Sequence, residues 1–232
     1  MSVYSTHREG REPQGWEMKC GRGSAAILAI LLVLSACSVV NGSGRVESET
    51  RPVSGFTGID LAGSGEVTVE QGTAESLTIE ADDNVLPELT SDVSGSMLTL
   101  GTKPGTTVRT LNPIRYRVTV KDLTALSLSG SGSVQAQGMK LGALRTDISG
   151  SGRVNLGGSA DRQDIKISGS GRYEAAELTS QTVSAEVSGS GDVVVTVSGV
   201  LKVDISGSGS VTYSGEPRVE SSVSGSGKVI KK

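Results

Sequence analysis

The tripeptide Gly-Ser-Gly recurs in similar surroundings, and this recurrence limits the possible folds more than any other feature. Its copies begin at Gly63, Gly130, Gly150, Gly169, Gly189, Gly207 and Gly225, and from the second copy onward the spacings are 20, 19, 20, 18 and 18 residues. Each of these later copies has an aliphatic residue two positions before its first glycine and Val or Tyr two positions after its second. A flexible Gly/Ser linker has no such fixed neighbours, so the pattern predicts a structural repeat.

Alternating side chains identify the repeating element as a strand. In one copy Ile148, Gly150, Gly152, Val154 and Leu156 fall on one face, and the residues between them are polar. A repeat of 18–20 residues has a contour near 60 Å, which suits one coil of three short strands and three bends. We therefore predict an all-β fold, a right-handed parallel β-helix (β-solenoid) whose coils stack about 4.8 Å apart.

The glycines have a structural role in this prediction. Glycine tolerates positive φ and close backbone approach, so each Gly-Ser-Gly unit is expected to form a bend. The predicted bend residues are Gly63, Gly65, Gly130, Gly132, Gly150, Gly152, Gly169, Gly171, Gly189, Gly191, Gly207, Gly209, Gly225 and Gly227. The intervening serines would align as an exposed ladder of hydroxyls. The residue after each unit varies from Glu66 to Lys228, which indicates a solvated face of mixed charge.

An apolar segment lies near the N-terminus. Residues 25–36 are uninterrupted apolar or small residues preceded by Lys19 and Arg22, too short for a permanent membrane span and typical of a secretory signal. The segment ends in Leu34-Ser35-Ala36-Cys37, which resembles the bacterial lipobox. We predict a lipoprotein signal peptide over 1–36, with Met18 as an alternative start to Met1. The simpler alternative is a cleaved secretory signal in which Cys37 has no special role.

Lipidation of Cys37 would anchor the exported protein in a bacterial cell envelope, since several acyl chains hold a protein stably at a membrane. By resemblance to enterobacterial sorting, Ser38 after the cysteine favours the outer membrane. Residues 37–52 are small and polar and are predicted to be a lipidated tether.

Composition excludes several classes of function. The formal net charge is −3, so no polybasic surface for nucleic acid is indicated. The single histidine, His7, lies in the leader, and beyond residue 36 Cys37 is the only cysteine. The remaining chain therefore cannot form a Ser-His-Asp triad, a Cys-His pair, a histidine-containing zinc site or an intrachain disulfide. No cofactor is indicated.

Residues 53–127 lack the strict period but contain several strand-like stretches, so we expect irregular first coils that shield one end of the regular coils over 128–232. Residues 101–113 are rich in Gly, Pro and Thr and predict an exposed excursion. Residues 84–89 predict a short helical turn that Pro87 interrupts.

An ordered series of motifs points to a family. The series is GFTGIDLAGSGEVTVEQG, then SLTIEADDNVLPEL, then YRVTVKDLTALSLSGSGSV, followed by the returning Gly-Ser-Gly units. From about Val53 to Lys232 the chain resembles the autotransporter-adhesin head domain, also called the GIN domain, of bacterial envelope proteins. The resemblance implies a right-handed β-helix and adhesion, and it supplies no catalytic motif. The scarcity of Asn and Asp after the Gly-Ser-Gly units departs from the family pattern.

Three functions follow from these observations. The first is a non-catalytic, lipid-anchored envelope protein whose β-helix binds a glycan or another envelope component. The second is a structural or sensing envelope component without such a ligand. The third is a β-helical enzyme that degrades polysaccharides, which would need paired carboxylates in a groove. The acidic residues that precede the Gly-Ser-Gly units are its only candidates: Asp147, Asp164, Glu186 and Asp204.

Overall fold

The computed structural model describes residues 38–232, and strands dominate this range. Residues 1–37 lie outside it, and with them the predicted signal peptide and Cys37. The strands are β1 Ser38–Asn41, β2 Val46–Arg51, β3 Gly58–Gly63, β4 Glu66–Gln71, β5 Ser76–Asp82, β6 Leu89–Ser94, β7 Met97–Thr102, β8 Thr106–Arg109, β9 Arg115–Val120, β10 Ala125–Gly130, β11 Ser133–Gly150, β12 Arg153–Gly169, β13 Arg172–Gly189, β14 Asp192–Gly207, β15 Ser210–Ser214, β16 Arg218–Gly225 and β17 Lys228–Lys231.

Strands β10 to β14 stack in parallel, each paired with the next, and β15, β16 and β17 continue the stack. The register aligns the first glycines of the repeat, so that Gly130 pairs with Gly150, Gly150 with Gly169, and so on to Gly225. The result is a β-solenoid of about five turns, which confirms the predicted fold class.

The coils are built differently from the expected three short strands. Each of β11 to β14 runs for 16–18 residues and is interrupted only at Gly-Ser-Gly. The other bends lie inside these long strands, where the register shifts, for example between Ala136 and Met139 of β11. Such bulges bend a strand while the pairing on either side continues. A coil can therefore turn without breaking its hydrogen-bonded contact with its neighbours.

Antiparallel strands close the N-terminal end of the stack. β5 pairs antiparallel with β2 and β9, and β6 pairs antiparallel with β7. β3 and β4 join this cap to the regular coils by parallel pairing with β10 and β11. A short 3-10 helix at Leu86–Glu88, with Pro87 in its first turn, lies where the sequence predicts a helical turn. A cap of this kind covers the lumen of the first coil.

The expectation of a free tether over 37–52 is wrong for the part that the structure describes. Ser38–Asn41 pairs in parallel with β8, and Val46–Arg51 pairs antiparallel with β5. The polar composition is compatible with strands because almost every residue in these two strands is exposed, so they need no apolar side chains. The predicted excursion at 101–113 is largely exposed, although Gly101 is buried in β7, and its strand β8 is the partner of β1.

The core is a set of aliphatic columns inside the coils. Its largest fully buried side chains include Phe56, Tyr116 and Tyr173. The lumen also holds polar residues that the aliphatic pattern does not predict, namely Thr146, Gln163 and Ser180. Every one of these side chains is at most 1% exposed.

Candidate functional site

The Gly-Ser-Gly units form one column along the solenoid, and the two glycines of each unit are required for different reasons. The first glycines have φ between 117° and 128°, a conformation that side chains with a Cβ rarely adopt. From Gly130 onward, a Cβ at this position would also lie within 2.7 Å of the carbonyl oxygen of the preceding coil's glycine. At the second glycine, from Gly132 onward, a Cβ would collide with an aliphatic side chain of the preceding coil. For Gly171 this neighbour is Ile148 Cγ2, at 2.5 Å.

The serines between these glycines line up on the outside of the solenoid. Their backbone N–H groups bond to the preceding coil, as when Ser151 N donates to Gly130 O (2.9 Å) and Ser170 N donates to Gly150 O (2.8 Å). Within residues 38–232 no hydrogen bond joins one serine hydroxyl of this column to the next. The hydroxyls are therefore an exposed row, aligned as the sequence predicts but not bonded to one another.

The positions after the units form a second column with mixed charge. In register it runs Arg115, Glu66, Ser133, Arg153, Arg172, Asp192, Ser210 and Lys228. Opposite charges pair at two places along it. Arg115 Nε lies 3.3 Å from Glu66 Oε2, and Arg172 Nη2 lies 3.0 Å from Asp192 Oδ2. Arg153 and Arg172 are in register and carry the same charge.

Two adjoining depressions follow these columns. The larger, a cleft of about 840 Å³, lies between β8 with its following loop and the first Gly-Ser-Gly unit, and its lining includes Arg109, Asn112 and Tyr116. The smaller is a groove of about 300 Å³ along the next three coils. Ser131 and Ser133 line both depressions, so the two adjoin.

A hydrogen-bonded carboxylate holds the outer wall of the cleft. Asp82, 1% exposed, accepts hydrogen bonds from Thr110 Oγ1 and from Asn112 Nδ2, each 2.7 Å long. These two bonds lower the pKa of the Asp82 carboxyl. Sequence reasoning missed the cleft because β8 and the first Gly-Ser-Gly unit are far apart in the chain and β8 has no strong apolar pattern. The alternation in residues 106–109 is the only local signal.

Three of the four acidic candidates for catalysis are ion-paired, and Asp204 has no cation within 4.0 Å among residues 38–232. Asp147 lies 2.7 Å from Arg145 Nε, Asp164 lies 2.6 Å from Arg162 Nη2, and Glu186 lies 3.0 Å from Lys166 Nζ. The hydrogen bond from Arg162 lowers the pKa of the Asp164 carboxyl. The general acid of a glycosidase needs a raised pKa, so the environment of Asp164 does not suit that role. Asp204 is in register with Glu186, while Asp164 lies in another column.

The tyrosines of the coils are mainly packing residues. Burial raises the pKa of Tyr116 to about 12 and also raises the pKa of Tyr173. Tyr213 is half-buried at the last coils. No exposed aromatic platform results from the three residues.

The described residues contain neither a metal-binding cluster nor a membrane-spanning helix. Between residues 38 and 232, no group of three or more His, Cys, Asp or Glu side chains is arranged to hold a metal ion. No helix in this range has the length and hydropathy to cross a membrane.

Comparison with known proteins agrees with the solenoid and its repeat. Residues 55–217 match the family described as "Putative auto-transporter adhesin, head GIN domain". The chain belongs to this family. A search of curated proteins gives no match.

Solved structures share the fold of this GIN domain at low sequence identity. A "putative adhesin" from Bacteroides fragilis NCTC 9343 is 23% identical, with a TM-score of 0.71 over 83% of this chain and 100% of that one. A "putative lipid binding protein" from Parabacteroides distasonis ATCC 8503 is 22% identical, with a TM-score of 0.58 over 84% and 100%. A "putative adhesin" from the same strain is 23% identical, with a TM-score of 0.52 over 84% and 100%.

Proposed function

We propose that this GIN-domain protein is anchored in a bacterial cell envelope through lipidated Cys37 and presents its solenoid as a non-catalytic binding module for adhesion. The observation that carries the proposal is the pair of adjoining depressions, the cleft and the groove, on the outside of a stack of paired coils. Membership of an adhesin family supports the same role. The lumen is filled with side chains, so a ligand would be held on the outside of the coils.

The start of β1 affects how a lipid on Cys37 would attach the domain to the membrane. Ser38 N already donates to Gly105 O (2.9 Å), one residue after Cys37. A lipid on Cys37 would therefore be followed by a paired strand instead of a flexible tether. The end of the domain that contains β1 and β8 would then be held close to the membrane.

Lipidation is tested by labelling cells with palmitate. Cys37→Ala should abolish incorporation of the label. The matched control is Cys20→Ala, because Cys20 lies inside the predicted signal peptide and would be removed with it. Persistent labelling of the Cys37→Ala variant would contradict the proposed anchor.

Adhesion requires the solenoid to face the outside of the cell, and an epitope tag at the C-terminus tests this requirement. Lys232 is exposed beyond the last strand, so a tag there leaves the core untouched. Antibody labelling of intact cells, together with stronger attachment of expressing cells to glycan- or matrix-coated surfaces, would support adhesion. Labelling only after permeabilisation would contradict it and favour the structural or sensing alternative within the envelope.

Two other functions have less support. Polysaccharide cleavage is disfavoured because Asp147, Asp164 and Glu186 are ion-paired and exposed. Reproducible product release from envelope or plant polysaccharides would overturn this conclusion. One structural neighbour is described as a "putative lipid binding protein". Lipid binding would require an apolar cavity. The lining of the cleft is mixed instead, with Gly, Ser and Thr residues, the charged Glu66 and Arg109, and the apolar Val108, Leu111, Pro113 and Ile114.

A further inference from the structure

Two arginines lie directly opposite each other on neighbouring coils. Arg153 begins β12 and Arg172 begins β13, and the two residues are in register. Paired strands lie about 4.8 Å apart. Like charges in this arrangement destabilise a sheet. Among the strand pairings of residues 38–232, this is the only one that sets a cation against a cation.

The protein balances one of these charges and leaves the other exposed. Arg172 Nη2 lies 3.0 Å from Asp192 Oδ2, and Arg172 Nη1 lies 3.7 Å from Glu174 Oε1. The other oxygen of Asp192 accepts a hydrogen bond from Ser210 Oγ (2.5 Å). Over residues 38–232, by contrast, no carboxylate lies within 4.0 Å of the Arg153 guanidinium. A negative ligand would supply the counter-charge that the fold omits.

Arg153 and Arg172 both line the groove of about 300 Å³. Apart from Gly132 and Gly152, its lining consists of Arg153, Arg172 and the four serines Ser131, Ser133, Ser151 and Ser170, with no carboxylate. The N–H groups of Ser151 and Ser170 are already bonded to the preceding coil. What the groove offers to a ligand is therefore one unbalanced guanidinium and a row of hydroxyls.

We propose that this groove binds an acidic oligosaccharide, with Arg153 bonded to a uronate carboxylate and the serine hydroxyls bonded to the hydroxyls of the sugar. The guanidinium presents a planar fork of donors that matches a carboxylate. The inference rests on the proposed binding function and gives that function a ligand class.

The shape and chemistry of the groove favour a sugar over other anions. An extended acidic peptide binds best by adding a strand to a free sheet edge, and here the backbone groups between coils are already paired. A nucleic acid would need many cations along its backbone, and the groove has only two arginines, of which Arg172 is already ion-paired. The groove also adjoins the cleft at Ser131 and Ser133, which leaves room for a chain of several sugars.

The test measures binding of a labelled hexameric oligogalacturonate to the full-length chain, expressed in a bacterium and purified with detergent. Fluorescence anisotropy should show binding that weakens as salt is added, and a neutral galactose oligomer should not compete. R153Q should weaken binding about tenfold or more, because it removes a charge-assisted hydrogen bond. R162Q is the matched control. It removes the same charge from an exposed arginine outside the groove and should change affinity less than about twofold.

A second variant separates binding from folding. R153E places a carboxylate opposite Arg172, so its thermal midpoint should equal or exceed that of the wild type while oligogalacturonate binding is lost. R153K keeps the charge without the fork and should retain part of the affinity.

Several results would overturn the inference. These are no binding of oligogalacturonate, equal binding by R153Q, equal competition by the neutral oligomer, and equal competition by polyglutamate at the same carboxylate concentration. The proposed function fails separately, through the labelling and attachment of cells. If cells adhere but the purified protein does not bind oligogalacturonate, the proposed ligand class is refuted and the proposed adhesion function is not.

Discussion

The hydroxyl of Tyr173 donates a 2.5 Å hydrogen bond to Gln163 Oε1 inside the lumen of the solenoid. Gln163 Nε2 in turn donates to Ser180 Oγ at 2.5 Å, and all three side chains are at most 1% exposed. Buried polar groups in a low-dielectric interior are costly unless each finds a partner. This short chain of bonds lets a narrow aliphatic interior accommodate a phenol and an amide.

Removing the Tyr173 hydroxyl should destabilise the protein even though the ring remains. In Tyr173→Phe, Gln163 Oε1 loses its buried donor, and we expect a loss of about 1–3 kcal/mol in the free energy of unfolding. Urea denaturation followed by circular dichroism measures this loss. The control is Tyr213→Phe at a half-buried tyrosine, with an expected change within about 0.5 kcal/mol. Equal stabilities for the two variants would contradict the role assigned to the bond.

Much of the solenoid is predictable from the sequence because its determinants are local and repeated. The alternation from Ile148 to Leu156 decides which residues face the lumen, and the glycine spacing sets the length of a coil. The β1–β8 pairing is not predictable in this way, because Ser38–Asn41 is exposed and its partner is distant in the chain. The Arg153–Arg172 pair was open to prediction, since aligning the repeats places the two arginines in successive copies.

The first glycine of a unit should not tolerate even alanine. Gly150 has φ 122°, and a Cβ there would lie 2.6 Å from Gly130 O. Gly150→Ala should lower the free energy of unfolding by about 1–3 kcal/mol from backbone strain alone, with the collision adding to it. Gly142→Ala is the matched control in the same strand, because a Cβ at Gly142 meets nothing within 4 Å and should be neutral or slightly stabilising. A Gly150→Ala protein as stable as the control would refute the account.

The second glycine makes room for a neighbouring side chain, so its replacement should be rescued by shortening that neighbour. A Cβ on Gly171 would lie 2.5 Å from Ile148 Cγ2 and 3.2 Å from Gly152 O. Ile148→Ala alone should cost about 2–5 kcal/mol because it leaves a cavity. The double variant Ile148→Ala/Gly171→Ala should be more stable than the sum of the two single changes predicts, by about 0.5–3 kcal/mol. Strict additivity in a double-mutant cycle would show that the two positions do not compete for space.

Alkaline stability should depend on Tyr116. Burial raises its pKa from 10.0 to about 12, so the folded protein binds this proton more tightly than the unfolded chain does. The stabilisation is complete below pH 10 and is lost as the pH rises towards 12, by roughly 2–3 kcal/mol for a shift of about two pH units. Tyr116→Phe should show a shallower decline over this window in urea denaturation. Parallel declines for wild type and variant would contradict the assignment.

The outer wall of the cleft should loosen when Asp82 loses its charge. The carboxylate accepts hydrogen bonds from Thr110 and Asn112, which lower its pKa from 3.8. Because the folded pKa is depressed, this contribution is present above pH 3.8 and is lost as the pH falls through the folded value. Asp82→Asn removes the charge at all pH values. It also replaces the carboxylate by an amide, which is a weaker hydrogen-bond acceptor.

Arg109, exposed at the end of β8, makes this loosening measurable by limited trypsin digestion at neutral pH. Asp82→Asn should speed cleavage after Arg109, because the segment that holds Thr110 and Asn112 would open more often and local opening exposes a chain to proteases. The control Asp92→Asn changes an exposed carboxylate on β6 and should leave the cleavage rate unchanged. Equal rates for the two variants would show that the wall of the cleft is held by the β1–β8 pairing alone.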